Sequence, residues 1–142
     1  DCKVGNNVVI ANNVPLGGHV TIEDSVVIGG NSAVQQFTRI GRLAMIGGMT
    51  GVLKDVIPFG LSIGNRNYLQ GLNLIGLRRK NYENKKIMEL DKAYKEIFSS
   101  NKLHENLSKI NAEFKGNELV EEVINFISRD KKRAICTPLN KE

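Results

Sequence analysis

A six-residue repeat of aliphatic side chains runs through the first third of the chain. In steps of six from Val4, every position up to Val52 is aliphatic. The nine members are Val4, Ile10, Leu16, Ile22, Ile28, Val34, Ile40, Ile46 and Val52. Glycine or another small residue follows many of them. Neither the two-residue alternation of a half-buried strand nor the spacing of a helix produces this period.

The six-residue period predicts a parallel β-helix. Each hexapeptide forms a short strand and a turn, so three of them complete a triangular coil of eighteen residues. Residues eighteen apart then stack, with Val4 under Ile22 and Ile40 and two further columns through Ile10 and Leu16. Neighbouring coils lie about 4.8 Å apart, the strand spacing of any sheet. Residues 1–59 are predicted to form these coils, and we expect further coils before Asp1.

The repeat ends near Pro58, where proline removes a strand donor. Residues 60–80 are predicted to form a connecting loop and a basic segment, and residues 81–142 a helical domain. Three apolar stripes at helical spacing support the helices. The stripes are Ile87, Leu90, Tyr94, Ile97 and Phe98; Leu103, Leu107, Ile110 and Phe114; and Leu119, Val123, Phe126 and Ile127. Asn117 is a predicted N-cap, and the basic tail from Arg129 is predicted to fray in part.

The composition, with 41% hydrophobic and 25% charged residues, is typical of a soluble globular protein. The net charge of +5 lies mostly after Gly76 and favours an acidic partner, although the interleaved Lys and Glu also suit a solvated surface. No nucleic-acid motif and no membrane-length apolar run occur, so we expect neither partner. Cys2 and Cys136 lack metal or redox spacing, which is typical of a reducing, cytoplasmic compartment.

His19 and Gln36 are the first candidates for chemistry. His19 follows Gly17-Gly18 and lies outside the aliphatic register, so we expect its side chain to project outward. A glycine such as Gly18 lets a backbone amide approach a ligand and stabilise an oxyanion. Gln36 lies seventeen residues after His19, nearly one coil later, so the two either flank one groove or are ordinary surface side chains.

The basic run Arg78-Arg79-Lys80 has two interpretations. It can bind a phosphate or an acidic protein through charge-assisted hydrogen bonds, or it can be a solvated helix-leading segment. A zinc site of the kind found in some trimeric β-helices needs three histidines. The chain has two, and His104 lies in a predicted helix, so we expect no metal.

Taken together, ordered segments up to about residue 128 resemble the acyl-carrier-protein:UDP-N-acetylglucosamine O-acyltransferase family. The segments include Asp1-Cys2-Lys3-Val4-Gly5-Asn6, Gly18-His19-Val20, Ala33-Val34-Gln35-Gln36-Phe37, Gly47-Gly48, Gly64-Asn65 and Gly76-Leu77-Arg78-Arg79. The resemblance implies a left-handed parallel β-helix followed by a carboxyl-terminal three-helix α domain. It further implies a homotrimer with active sites in the clefts between subunits.

The activity implied by the resemblance is the first step of lipid A biosynthesis. A 3-hydroxyacyl chain passes from acyl carrier protein to the 3-hydroxyl of UDP-N-acetylglucosamine, with the phosphopantetheine thioester as donor and no other cofactor. A histidine acts as the general base. In the family it comes immediately before the residue that matches Asp1, so we expect this chain alone to be inactive.

The resemblance also implies roles for residues of this chain. Gly18 matches the oxyanion amide, and the matched substrate-binding positions are His19, Gln36, Gly48, Asn73, Arg79 and Lys80. Asn73, Arg79 and Lys80 match positions that handle the nucleotide or the phosphopantetheine arm, and Gly48 the position that sets acyl-chain length.

Three residues depart from the family pattern. Gln35 replaces a histidine of many members, while Arg66 and Ile75 replace polar or imidazole side chains near the nucleotide, which leaves the sugar nucleotide open. Two alternative functions follow: a sugar-nucleotide N-acyltransferase of the same superfamily, and a non-enzymatic trimeric scaffold that binds a carrier protein.

Overall fold

The computed structural model describes residues 1–139 and separates into two compact units. The first unit comprises Asp1–Asn73 together with the described residues from Lys132 onward, and the second comprises Leu74–Lys131. The chain therefore leaves the first unit after Asn73 and returns to it at Lys132.

The first unit is built on very short parallel strands. They are β1 (Lys3–Val4), β2 (Val9–Ile10), β3 (Thr21–Ile22), β4 (Val27–Ile28), β5 (Ala33–Val34), β6 (Arg39–Ile40), β7 (Met45–Ile46) and β8 (Gly51–Val52). A hairpin of β9 (Gly60–Ile63) and β10 (Tyr68–Leu72) follows. The strands form three sheets in the orders β1-β3-β6, β2-β4-β7-β9-β10 and β5-β8. Because consecutive strands from β1 to β9 fall in different sheets, the chain winds as a parallel β-helix, which confirms the predicted fold.

The predicted columns are present residue by residue. Each aliphatic position pairs in parallel register with the one eighteen residues later, as in Val4 with Ile22 and Ile22 with Ile40. The columns from Ile10 and Leu16 pair in the same way. From Ile22 onward these side chains are buried, whereas Val4 is 50% exposed because it lies in the first coil of the chain.

The corners of the coils share an unusual backbone conformation. Eight residues at six-residue intervals have φ between 56° and 66°, the left-handed region. They are Asn7, Asn13, His19, Ser25, Asn31, Phe37, Leu43 and Met49. None is β-branched, in keeping with the cost of this conformation for branched side chains. Six of these corner residues are exposed and Ser25 is half-buried, whereas Leu43 is buried.

The stretch that follows the last coil is more ordered than its sequence indicates. Residues 60–80 are predicted to form a connecting loop and a basic segment, but β9 pairs in parallel with β7 and antiparallel with β10. The loop prediction is therefore wrong for Gly60–Ile63 and Tyr68–Leu72. β9 is ordered because Leu61 and Ser62 pair with Met45 and Ile46 and so add a strand to their sheet.

The second unit is helical. A short helix α1 (Leu74–Arg79) precedes α2 (Asn84–Ile97), α3 (Leu103–Glu113) and α4 (Glu118–Ser128), and the last three carry the predicted apolar stripes on their buried faces. Asn117 caps α4 as predicted, since its side-chain oxygen accepts hydrogen bonds from the amides of Leu119 and Val120 at 3.0 and 3.3 Å. The Lys86 side chain donates a hydrogen bond to Glu118 and so joins α2 to α4. This hydrogen bond lowers the pKa of Glu118 and raises the pKa of Lys86.

The tail differs from its prediction. Residues 133–138, which we call the strap, return to the first unit and pair with Asp55 and Leu69, so this part of the tail is ordered. Ile135 and Cys136 are buried there, and burial raises the pKa of the Cys136 thiol to about 11. The last residues of the predicted tail, 140–142, lie outside the described residues.

Candidate functional site

One corner of the β-helix brings His19 beside the Gln35–Phe37 corner of the next coil. The amide of Phe37 donates to the carbonyl of Gly18 at 2.9 Å, so the two corners are consecutive rungs. The rings of His19 and Phe37 stack with centroids 5.0 Å apart and planes 5° from parallel. His19 and Gln36 are both exposed. The expectations that His19 projects outward and that Gln36 lies on the adjacent rung are therefore met by the geometry.

The two glycines before His19 differ in the space around them. A Cβ on Gly17 would lie 2.4 Å from the backbone nitrogen of Gln36, so only glycine allows the coils to approach at this point. A Cβ on Gly18 would meet nothing within 4 Å. Within residues 1–139 the Gly18 amide has no hydrogen-bond acceptor, and the residue is exposed. An exposed amide without a protein acceptor is what an oxyanion needs as a donor.

Phe37 was not singled out by sequence reasoning. Its ring lies against the imidazole of His19 and limits the orientations that His19 can adopt. The signal was present in the sequence, since the two residues are eighteen positions apart and occupy the same corner column.

Gly48 lies in a second corner that also depends on glycines. A Cβ on Gly29 would lie 2.5 Å from the nitrogen of Gly48, while a Cβ on Gly48 would approach the carbonyl oxygen of Gly30 at 3.4 Å. The outward side chains of Val9, Val27 and Met45 pair in parallel on the preceding strands. Val9 and Met45 are exposed, so these strands present apolar side chains on their outer face.

Asn73 ends the first unit and is held there by hydrogen bonds from its backbone and its side chain. Its backbone amide donates to the carbonyl of Phe59 at 2.7 Å, and its side-chain Nδ2 donates to the carbonyl of Leu43 at 2.9 Å. Arg79 and Lys80 belong to the second unit, where they are exposed at the end of α1. Neither side chain pairs with another group in the described part of the chain, so both are available to an anion.

Two negative observations concern the described residues alone. No group of three or more His, Cys, Asp or Glu side chains is arranged there to hold a metal ion. None of the helices in the same residues is both long and apolar enough to cross a membrane.

Comparison with known proteins identifies similar sequences. Residues 55–136 match a family model described as UDP-N-acetylglucosamine O-acyltransferase, domain 2. The chain is 45% identical over 139 residues to the acyl-[acyl-carrier-protein]–UDP-N-acetylglucosamine O-acyltransferases of Rhizobium leguminosarum and Rhizobium etli. These alignments cover 97% of this chain and 51% of each relative. The chain thus spans about half the length of the curated relatives it matches.

Solved structures show the same likeness. The UDP-N-acetylglucosamine acyltransferase of Arabidopsis superposes with a TM-score of 0.90 at 36% identity, over 96% of this chain and 51% of that one. The enzyme of the same description from Campylobacter jejuni superposes with a TM-score of 0.87 at 34% identity, over 99% and 54%. The β-helix and the helices after it are therefore shared with these structures.

Proposed function

Because the chain belongs to the family of UDP-N-acetylglucosamine O-acyltransferases, we propose that it is part of an enzyme that acylates UDP-N-acetylglucosamine. The enzyme transfers a 3-hydroxyacyl chain from acyl carrier protein to the sugar 3-hydroxyl, the first step of lipid A biosynthesis. The observation that carries this proposal is the accessible Gly18 amide beside His19 and Gln36 on one corner of the β-helix.

In the proposed reaction the general base is a histidine immediately before Asp1 in the parent protein. It removes the proton of the sugar hydroxyl, whose oxygen forms a bond to the thioester carbonyl carbon. The Gly18 amide donates to the oxyanion that results. The C–S bond then breaks, and the proton passes to the departing thiolate of the carrier. His19 and Gln36 position the substrate, and Asn73, Arg79 and Lys80 bind the nucleotide or the phosphopantetheine arm.

A matched pair of substitutions at Gly18 tests this assignment in the parent protein. Gly18→Pro removes the amide hydrogen, whereas Gly18→Ala keeps it and has space for its methyl group. Loss of an oxyanion donor costs about 10²- to 10³-fold in kcat. We expect that loss in Gly18→Pro and near-normal turnover in Gly18→Ala, measured by transfer from acyl carrier protein thioester, with circular dichroism to confirm folding. Equal turnover by both variants would contradict the role of the amide.

Two alternatives have their own outcomes in the same assay. Faster transfer to a 3-amino sugar nucleotide than to the hydroxyl sugar would identify an N-acyltransferase. No transfer to any acceptor, together with weaker carrier binding in Arg79→Ala, would identify a non-enzymatic scaffold. The scaffold alternative is supported by the exposed cationic side chains of Arg79 and Lys80, which can bind an acidic carrier protein.

The active assembly is proposed to be a cytoplasmic homotrimer without metal or further cofactor. Exposed apolar side chains on the β-helix support association, because Val9, Phe37 and Met49 are 57%, 52% and 77% exposed. Two free cysteines support a reducing compartment. Sedimentation equilibrium of the parent protein should give three times the subunit mass, and chelator treatment should leave transfer unchanged.

A further inference from the structure

The strap encloses a buried carboxylate. Asp55 is fully buried and accepts hydrogen bonds from Arg39 Nε at 2.7 Å and from Arg133 Nη2 at 2.9 Å. Asp55 Oδ1, which accepts from Arg133 Nη2, also accepts from Arg133 Nε at 3.1 Å and from the backbone amide of Arg39 at 3.0 Å. A buried carboxylate that loses one cationic partner is strongly destabilised. Arg133, which comes from the strap, therefore attaches the strap to the β-helix through this group.

Backbone hydrogen bonds extend the attachment. The amide of Asp55 donates to the carbonyl of Ala134 at 3.0 Å, and the amide of Cys136 donates to the carbonyl of Asp55 at 2.8 Å. Farther along the strap, the carbonyl of Thr137 accepts from the amide of Leu69 at 2.9 Å. The strap thus connects the end of the last coil to β10.

β10 needs such support because it is an edge strand with an irregular ladder. It lies at the end of its sheet, and its register with β9 shifts between Leu69 and Gly71. The strap pairs with Leu69 on the other side, at the point where the shift begins. Asn73 follows β10 directly, so β10 sets the position of its backbone together with the hydrogen bond from the Asn73 amide to the Phe59 carbonyl.

We propose that Arg133 is a positioning residue, which holds Asn73 at the substrate site through Asp55, the strap and β10. The proposal rests on the proposed function for the role of Asn73, but the mechanical connection does not. It assigns to the strap an indirect part in binding the nucleotide or the phosphopantetheine arm, through the position of Asn73.

The mechanical part is tested in the chain as it stands with Arg133→Ala, Arg133→Lys and the control Lys131→Ala. Cys136 is buried and un-ionised at neutral pH, so its reaction with a thiol reagent reports opening of the strap, while exposed Cys2 is an internal reference. We expect the rate of Cys136 labelling to rise about tenfold or more in Arg133→Ala, because the buried Asp55 then loses a cationic partner that the strap supplies. Arg133→Lys should be intermediate, since lysine keeps the charge without the planar fork, and Lys131→Ala unchanged.

Amide hydrogen exchange of the same variants separates positioning from general loss of stability. In Arg133→Ala the amides of Leu69 and Asn73 should exchange faster, while the amide of Thr21 in β3, which donates to Thr38, stays protected. Unchanged exchange at Leu69 and Asn73 would overturn the proposal. Equal acceleration of all three amides would overturn it as well, because the strap would then stabilise the unit without directing Asn73.

The functional part is tested in the parent protein by comparing Arg133→Ala with Asn73→Ala. Both should raise KM for the same one of the two substrates, with kcat kept within about threefold, as expected when uniform binding is lost. Activity with an unchanged KM in Arg133→Ala would refute the positioning role. If the parent transferred no acyl group at all, the proposed function would fail, whereas the exchange and labelling results would still decide the mechanical connection.

Discussion

At the scale of single residues, Gly17 and Gly18 are neighbours with opposite constraints. An added Cβ collides with the Gln36 backbone from Gly17 and meets open space from Gly18. We expect Gly17→Ala to destabilise the chain by about 1–3 kcal/mol, the usual cost of overpacking, and Gly18→Ala to change stability by less than about 0.5 kcal/mol. Urea unfolding followed by circular dichroism measures both. A Gly17→Ala variant as stable as the parent chain would show that the coils can separate at little cost.

Gly48 gives a prediction about substrate choice that depends on the proposed function. A Cβ there would lie 3.4 Å from the Gly30 carbonyl oxygen, an ordinary contact distance, so a side chain fits at this position. In the parent protein Gly48→Met should therefore shorten the preferred acyl chain, with kcat/KM for the longest accepted donor reduced about tenfold or more. Competition between donors of different chain length measures this, with Gly48→Ala as the smaller control. An unchanged chain-length profile would contradict it.

Sequence reasoning located the corner residues better than their contacts. The outward direction of His19 followed from its place outside the aliphatic register, because the period fixes which side chains face the core. Its stacking on Phe37 did not follow, since a six-residue period says nothing about ring orientation. The partnership of Asp55 with Arg133 was also hidden, because nothing local in either segment marks a partner 78 residues away.

At the scale of elements, the Asn117 side chain joins two helices. It caps α4 through Leu119 and Val120, and its Nδ2 donates to the Lys86 carbonyl of α2 at 3.2 Å. Asn117→Ala should reduce stability by about 1–2 kcal/mol, the cost of a lost cap. Thermal unfolding measures it.

Asn125 offers the matched control, because it lies within the same helix and is exposed. Asn125→Ala should be neutral or slightly stabilising, since alanine is the better helix former. Equal destabilisation by both changes would mean that the capping hydrogen bonds of Asn117 contribute nothing to stability.

The elements with strong periodicity were the ones that the sequence predicted. The coils and α2, α3 and α4 each bury a repeated stripe, and repetition is visible without knowledge of a partner. The hairpin and the strap were missed because each is short and obtains its order from a neighbour. β9 is ordered by pairing with Met45 and Ile46, and the strap is held in place by pairing with Asp55.

At the scale of the whole molecule, the register of the β-helix should tolerate whole coils and reject single residues. A tandem duplication of residues 23–40 adds eighteen residues and leaves every later aliphatic side chain in its column. One glycine inserted after Ile40 moves Ile46 and Val52 out of theirs, and each contributes about 1.5–3 kcal/mol when buried. We expect the duplicated chain to unfold cooperatively and the glycine insertion to lower stability by at least about 3 kcal/mol, measured in urea. Comparable stability of the two would contradict a strict register.

The pairing of residues eighteen apart also governs how such a chain folds. Each new coil closes a loop of the same length, so the entropic cost of adding a coil does not grow with the number already formed. Once a first pair of coils has formed, the next can add to its open edge in the manner of a repeat protein. The folding rate of the β-helix should therefore depend on that first pair and change little with the total length of the helix.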